Sequence, residues 1–181
     1  MNILAVGYYD DYARFFFHIK DQFKNNFKES QFKYVSIYLS GFVYWLVHGF
    51  EITMLIAFKS WFQVLFNKKK YREIAKKNEY KGINLNDVIQ YNLKLENFPK
   101  KNTLLLKMQA CSYIDIVEDI LHDFKPDILI LSDDSRLIIE IIDTLGKKME
   151  IKTFYFEQGP FGTTMIDSKG VNANASIRDI Q

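Results

Sequence analysis

The sequence predicts an α/β fold, a Rossmann-like parallel sheet flanked by helices. Two patterns predict it. The chain opens strand, helix, strand, and its last third runs strand, helix, strand again. Such units join parallel strands through a crossover that lays the helix on the sheet. A third observation is that three of the four predicted strands of these units lead into a polar segment, as the ligand-facing edge of an open α/β sheet does.

The opening "NILAVGY" is a short apolar run closed by Gly7, and it reads as a strand. In "DDYARFFFHIKDQFKNNF" the residues Tyr12, Phe16, Ile19, Phe23 and Phe27 recur at helical spacing. "FKYVSIYLS" is rich in aromatic and β-branched residues and predicts the second strand, ended by Ser40 and Gly41. From Phe42 to Phe66 the chain is at its most apolar and long enough by count to cross a bilayer. Glu51 and Lys59 oppose a span, since each would cost about 2.5 to 3.5 kcal/mol near a membrane centre. His48, Glu51, Lys59 and Gln63 fall along one helical stripe, so the expectation is a mostly buried helix with one wet edge.

Lys68, Lys69, Lys70, Arg72, Lys76, Lys77 and Lys81 follow close together. They predict a solvated helical face, and beside an aromatic helix they also suit an anionic membrane surface. "NLNDVIQYNL" and "NTLLLKMQACSYIDIVEDILHDF" are further helical patterns, the second with Leu105, Met108, Cys111 and Ile114 along one side. Pro126 breaks the pattern before a buried-type strand from Ile128 to Leu131. A helix over "SRLIIEIIDTLGKKM", with Ser135 as its cap, and a strand over "EIKTFYF" complete the series.

Composition narrows the functional classes. With 181 residues, 48% of them hydrophobic, the chain has enough apolar matter for one domain and is not a disordered segment. A net charge of +2 is too small to mark nucleic acid as the main partner. One cysteine, Cys111, leaves no internal disulfide framework, suits a reducing cytosol and reads as a core residue. The start has no basic segment followed by a long apolar run, so no signal peptide is expected and a cytoplasmic location is. Gly7 in "GYYDDY" makes neither a dinucleotide fingerprint nor a phosphate-binding loop. His18, His48 and His122 fall on separate predicted helices, and no metal-ligand spacing occurs, so no cofactor or metal is expected.

Three polar segments should meet at the carboxyl edge of the sheet: Gly7 to Asp11, Ser132 to Arg136, and Glu157 to Asn174. The last belongs to "FEQGPFGTTMIDSKGVNANAS", which puts two carboxylates, several glycines and small amides directly after an apolar strand. Read on residues alone, Glu157 either ends a strand or does chemistry, and Asp167 either closes a turn before Gly170 or does chemistry.

From Pro126 to Ser176 the sequence resembles the bacterial capsule polysaccharide biosynthesis proteins, which include retaining β-Kdo glycosyltransferases. Their pattern is Pro-Asp before a strand, a helix, a strand ending Glu-x-Gly, and Asp-x-x-Gly-Val-Asn; Pro126, Asp127, Glu157, Gly159, Asp167, Gly170, Val171 and Asn172 stand at the matching points. Ser132 to Arg136 departs from the family's Asn-Gly type of turn. The resemblance implies the amino-terminal, acceptor-side half of a GT-B glycosyltransferase. Its second Rossmann-like half, which grips the nucleotide sugar, is not supplied by these residues.

The same resemblance implies Asp167 as nucleophile, with Glu157 as acid/base or organiser. It implies substrate contacts from Gly159, Gly170, Asn172, Asn174, Ser176, Asp133 and Asp134. The donor would be CMP-Kdo or a related nucleotide sugar, and the acceptor a glycan or glycolipid at the inner-membrane surface. Two other readings stand beside it. One is a non-catalytic module of the same fold that binds glycan, lipid or a partner. The other is a flavodoxin-like or receiver-like domain, with Asp10, Asp11, Asp133 and Asp134 around a Mg²⁺ ion and Lys169 as the late lysine.

Overall fold

The structure is a computed structural model that describes residues 1–27, 29–48, 54–94, 103–158, 163–171 and 174–176. Its sheet is built from β1 (Asn2–Gly7), β2 (Gln31–Ser36), β3 (Met54–Leu55), β6 (Ile128–Ser132), β7 (Lys152–Gln158) and β8 (Thr164–Asp167). The spatial order is β3-β2-β1-β6-β7-β8. Pairing is parallel from β3 to β7, and β8 turns back antiparallel on β7. The expected α/β, Rossmann-like architecture is therefore present. Chain order reverses between β1 and β6, so a crevice opens at the carboxyl ends of those strands.

Alternation along the strands divides the core. Ile3, Ala5, Phe32, Tyr34 and Phe156 face α1 (Asp10–Asn26) and α2 (Leu39–His48), where Ala13, Phe16 and Trp45 meet them. Leu4, Val6, Val35, Leu129, Leu131 and Tyr155 face the other way. There they meet α3 (Ile56–Phe66), α5 (Leu85–Lys94), α6 (Thr103–Phe124) and α7 (Leu137–Lys148). Helix α6 is buried on several sides and packs against α3, α5 and α7, and also against α4 (Lys68–Ala75). Cys111 lies in its buried face, and burial together with the charge of Asp115 pushes the thiol up to about 12. It is a core residue, as expected.

Polar ties fix the helices to the sheet. The Asn2 amide donates to Asp127 Oδ2 at 2.7 Å, and Asn2 Nδ2 donates to the carbonyls of Phe124 and Lys125 at the end of α6. This gives Asp127 a structural duty: it clamps the start of β6 to β1. On the other side of α6, Asp115 accepts hydrogen bonds from Lys70, Tyr71 and Tyr80, and Lys81 Nζ lies 2.7 Å from its Oδ1. These contacts tie α4 and the small hairpin of β4 (Glu79–Tyr80) and β5 (Ile83–Asn84) to α6. Burial by itself raises the Asp115 pKa; the bonds from Lys81, Tyr80, Lys70 and Tyr71 outweigh it and hold the group below its ordinary value. The stability it lends is present above the unfolded value and is lost as pH falls through the lower folded one.

Two expectations are corrected. The stretch from Phe42 to Phe66 is not one helix: α2 ends at His48, and Met54 and Leu55 pair with Val35 and Ser36 as the edge strand β3 before α3 begins. Nor is it mostly buried, because Val47, Phe58, Phe62, Leu65 and Phe66 are exposed. Pairing with β2 overrides the local helical pattern here. Glu51, one member of the expected wet stripe, lies outside the described residues. The second strand is also shorter than expected, since Ser40 and Gly41 already belong to α2; a side chain at Gly41 would meet Ser36 Oγ at 2.8 Å and the Tyr9 carbonyl at 3.0 Å. No described helix is long and apolar enough to cross a membrane.

Candidate functional site

The carboxyl ends of β1, β6 and β7 lie beside one another, so the described parts of the three polar segments gather at one edge of the sheet, as expected. The exit from β6 turns sharply at Asp133, whose φ of 76° is left-handed, a conformation that Asp tolerates better than most residues. Its amide donates to the Phe156 carbonyl at 3.1 Å. Its Oδ1 accepts from the Asp134 amide at 2.7 Å and the Ser135 hydroxyl at 3.1 Å, and Oδ2 lies 3.6 Å from Arg136 Nε. The residue that precedes the helix is Arg136, so Ser135 hydrogen-bonds the turn instead of capping α7.

Asp134 reaches across to the segment after β8. Its Oδ2 accepts from the Val171 amide at 2.9 Å and from Asn174 Nδ2 at 3.0 Å. Gly170 lies under this contact: a β-carbon there would stand 2.6 Å from Asn174 Cβ and 2.9 Å from Asp134 Oδ2. Glycine is needed at this point for close approach.

Asp167 ends β8 and organises the following turn. Oδ1 accepts from the amides of Lys169 at 2.7 Å and Gly170 at 3.3 Å; Oδ2 accepts from the Ser176 amide at 3.0 Å and hydroxyl at 2.5 Å. The Ser176 hydroxyl, with the Lys169 amide next, lowers the pKa to about 2. The Asp-Ser-Lys-Gly-Val segment is thus a turn wound on one carboxylate and pinned to β6 by another.

Glu157 lies in β7 opposite Met165, and Asp167 lies opposite Tyr155. Glu157 and Asp167 are therefore diagonal neighbours on the same face of the β7–β8 pair, a relation that places β-carbons about 7 Å apart. Glu157 Oε2 is buried without a hydrogen-bond partner among the described residues. Tyr12 stands near enough that burial first, and then the Glu157 and Asp133 charges, raise its pKa.

The structure brings together Asp133, Asp134, Glu157, Asp167, Gly170, Asn174 and Ser176. Gly159 and Asn172 lie outside the described residues. Four of the expected substrate contacts, Asp133, Asp134, Asn174 and Ser176, hydrogen-bond within this cluster. Gly7, at the end of β1, packs under Tyr34 and Tyr12; a side chain there would meet Tyr34 Oη at 2.7 Å. Among the described residues no three His, Cys, Asp or Glu side chains gather as a metal site.

Sequence reasoning missed the neighbouring crevice, where Tyr8, Tyr38 and Arg136 meet Trp61, Tyr91, Asn92 and Gln109 from α3, α5 and α6. Tyr8 and Arg136 carried a signal, since both lie in predicted strand exits. The others are scattered on helices without one. No protein-family profile, curated protein or solved structure matches the chain.

Proposed function

We propose that the chain is the amino-terminal, acceptor-side half of a retaining glycosyltransferase of capsular polysaccharide biosynthesis, moving a sugar such as Kdo from a CMP-activated donor to a glycan or glycolipid. The observation that carries this reading is the buried Oε2 of Glu157, without a partner among the described residues, on the same strand-pair face as Asp167. An unpaired buried carboxylate oxygen costs stability, and a catalytic role is one of the explanations for such a group in a native structure. In this reading an Asp167 oxygen attacks the anomeric carbon as the bond to CMP breaks, and CMP leaves with the electron pair. The acceptor hydroxyl then displaces Asp167, its proton passing to Glu157. The low pKa of Asp167 keeps it ionised for attack, and Ser176 must release Oδ2 for that oxygen to react.

The half-enzyme reading has a direct test. Calorimetric titration of the 181-residue chain with CMP is expected to show only millimolar or weaker binding. Micromolar affinity would overturn it, because the nucleotide-gripping half would then be dispensable.

An exposed surface supports a glycolipid acceptor. Leu65 and Phe66 are 68% and 81% exposed at the end of α3, close in sequence to the exposed Lys68 and Lys69 of α4. A groove of about 980 Å³, lined by Leu39, Phe42, Met54, Phe58 and Phe62 with Lys33 and Lys59, runs along the β3 edge. Apolar side chains beside lysines suit an anionic bilayer surface. Vesicles containing phosphatidylglycerol are expected to sediment the chain at low salt and release it as salt rises, and Phe62→Glu should weaken capture. Equal capture by neutral phosphatidylcholine vesicles at every salt level would remove the lysines from the account.

The non-catalytic binding module is the second reading, and one observation favours it. Both Asp167 oxygens accept two hydrogen bonds each, which is what a turn anchor requires.

A further inference from the structure

We infer that the crevice at the strand reversal is a separate ligand site, for a flat aromatic ring that carries one anionic group. This inference stands apart from the transferase reading and uses neither Glu157 nor Asp167. A cavity of about 440 Å³ opens beyond β1 and β2, bounded by α3, α5, α6 and α7. Small-molecule sites run from about 300 to 1,000 Å³, and in sheets of this kind they occur at the strand reversal.

The wall selects the ligand by chemistry. Tyr38, Trp61 and Tyr91 present partly exposed aromatic faces, and Ile37, Leu106 and Leu137 are buried behind them. A flat aromatic ring stacks on such faces in the offset or edge-on geometries that aromatic pairs prefer. Among the described wall residues only Arg136 carries a charge. Its guanidinium lies 4.7 Å over the Tyr8 ring and donates to the Tyr38 hydroxyl at 3.3 Å, while Asp133 stands 3.6 Å from Nε. A guanidinium has five N–H donors, more than these contacts occupy, and its fork matches a carboxylate or phosphate.

Two polar atoms of the wall residues point to a missing partner. Among the described residues the Tyr8 hydroxyl and Asn92 Nδ2 are both buried without a hydrogen-bond partner, and Tyr8 as a whole is 3% exposed. Burial, reinforced by the Asp133 charge, pushes the Tyr8 hydroxyl far up, so it remains a protonated donor. Two buried donors and a cation with spare N–H groups on one wall call for acceptors from a ligand. An aromatic carboxylate or an aryl phosphate brings them.

The test is an NMR titration of the full chain that follows the Trp61 indole, with benzoate and phenyl phosphate as probes. Benzyl alcohol supplies the ring without the charge, and inorganic phosphate the charge without the ring. Saturable shifts are expected with benzoate or phenyl phosphate alone, the tighter of the two identifying the anion. Arg136→Gln is expected to weaken binding about 10- to 100-fold, and Arg136→Lys to recover part of the loss. Tyr8→Phe should weaken binding while leaving the thermal midpoint unchanged or raised, because it deletes an unpaired buried hydroxyl. Absence of saturation at millimolar probe, an equal response to benzyl alcohol, or unchanged binding by Arg136→Gln would each overturn the inference. A lowered midpoint with intact binding in Tyr8→Phe would remove Tyr8 from the site.

Discussion

Trp45→Ala is expected to destabilise the fold by about 3 to 5 kcal/mol, as large-to-small changes at buried aromatics do. Trp45 is 1% exposed and stacks on Tyr34 with ring centres 4.6 Å apart and on Phe32 at 6.2 Å, with Phe17 edge-on at 5.9 Å. Its ring also faces the Lys20 ammonium at 5.2 Å, and Lys20 is itself only 4% exposed. Alanine would leave a cavity between α1, α2 and β2 and strip one aromatic face from a buried cation. Since domains of this kind are stable by about 5 to 15 kcal/mol, this one change removes a large share. Urea denaturation measures it: the midpoint should fall with an unchanged slope, and Trp45→Phe should fall much less. A shift below about 1 kcal/mol would show that α2 is not a working part of the core.

Trp45 also shows where sequence pattern stopped. It lies in the apolar stretch from Phe42 to Phe66, which reads as one mostly buried helix with a wet edge. In the fold α2 buries only Gly41 and Trp45, and the chain then spends two residues pairing with β2. No local signal distinguishes an apolar residue that meets the sheet from one that faces outward. The parallel strands β1, β6 and β7 were readable because each is an apolar run followed by a polar exit. The two-residue strands β3, β4 and β5 were not, since their existence depends on partners and not on a pattern of their own.

The functional edge divides in the same way. Asp167 before a glycine could be read as a turn from residues alone, and four hydrogen bonds bear that out locally. The strand β8 that delivers it was hidden, because "TTMID" has polar neighbours and takes its register from β7. The aromatic crevice was hidden more deeply. Tyr8, Trp61, Asn92 and Arg136 come from four distant parts of the chain, and only the crossing of α3, α5 and α7 over the end of β1 makes them neighbours.

Asp167→Asn is expected to separate the two readings of the carboxylate pair in an enzyme completed with a donor-binding half. A nucleophile replaced by its amide should lose transfer by about 10⁴-fold or more. The comparison that decides is Ser176→Ala, which removes the 2.5 Å hydrogen bond to Oδ2 and leaves the carboxylate in place. If Asp167 attacks the sugar, Ser176→Ala should keep or raise turnover, because Oδ2 loses its hydroxyl donor, keeps only the Ser176 amide and becomes the better nucleophile. If Asp167 only anchors the turn, both variants loosen the same loop and should lower activity together. Titration supplies a second readout. With a folded pKa of about 2 against 3.8 unperturbed, the turn gains stability above the unfolded value and loses it as pH falls through the folded one. Ser176→Ala should move that loss to higher pH, seen as earlier exchange of the Lys169 and Gly170 amides. Glu157→Gln should slow the second displacement by about 10² to 10⁴ and so let a glycosyl adduct accumulate on donor alone. Peptide mapping of that adduct to Asp167 is the expected result; an adduct elsewhere, or near-normal transfer by a folded Asp167→Asn enzyme, leaves Asp167 a turn anchor and the chain a binding module.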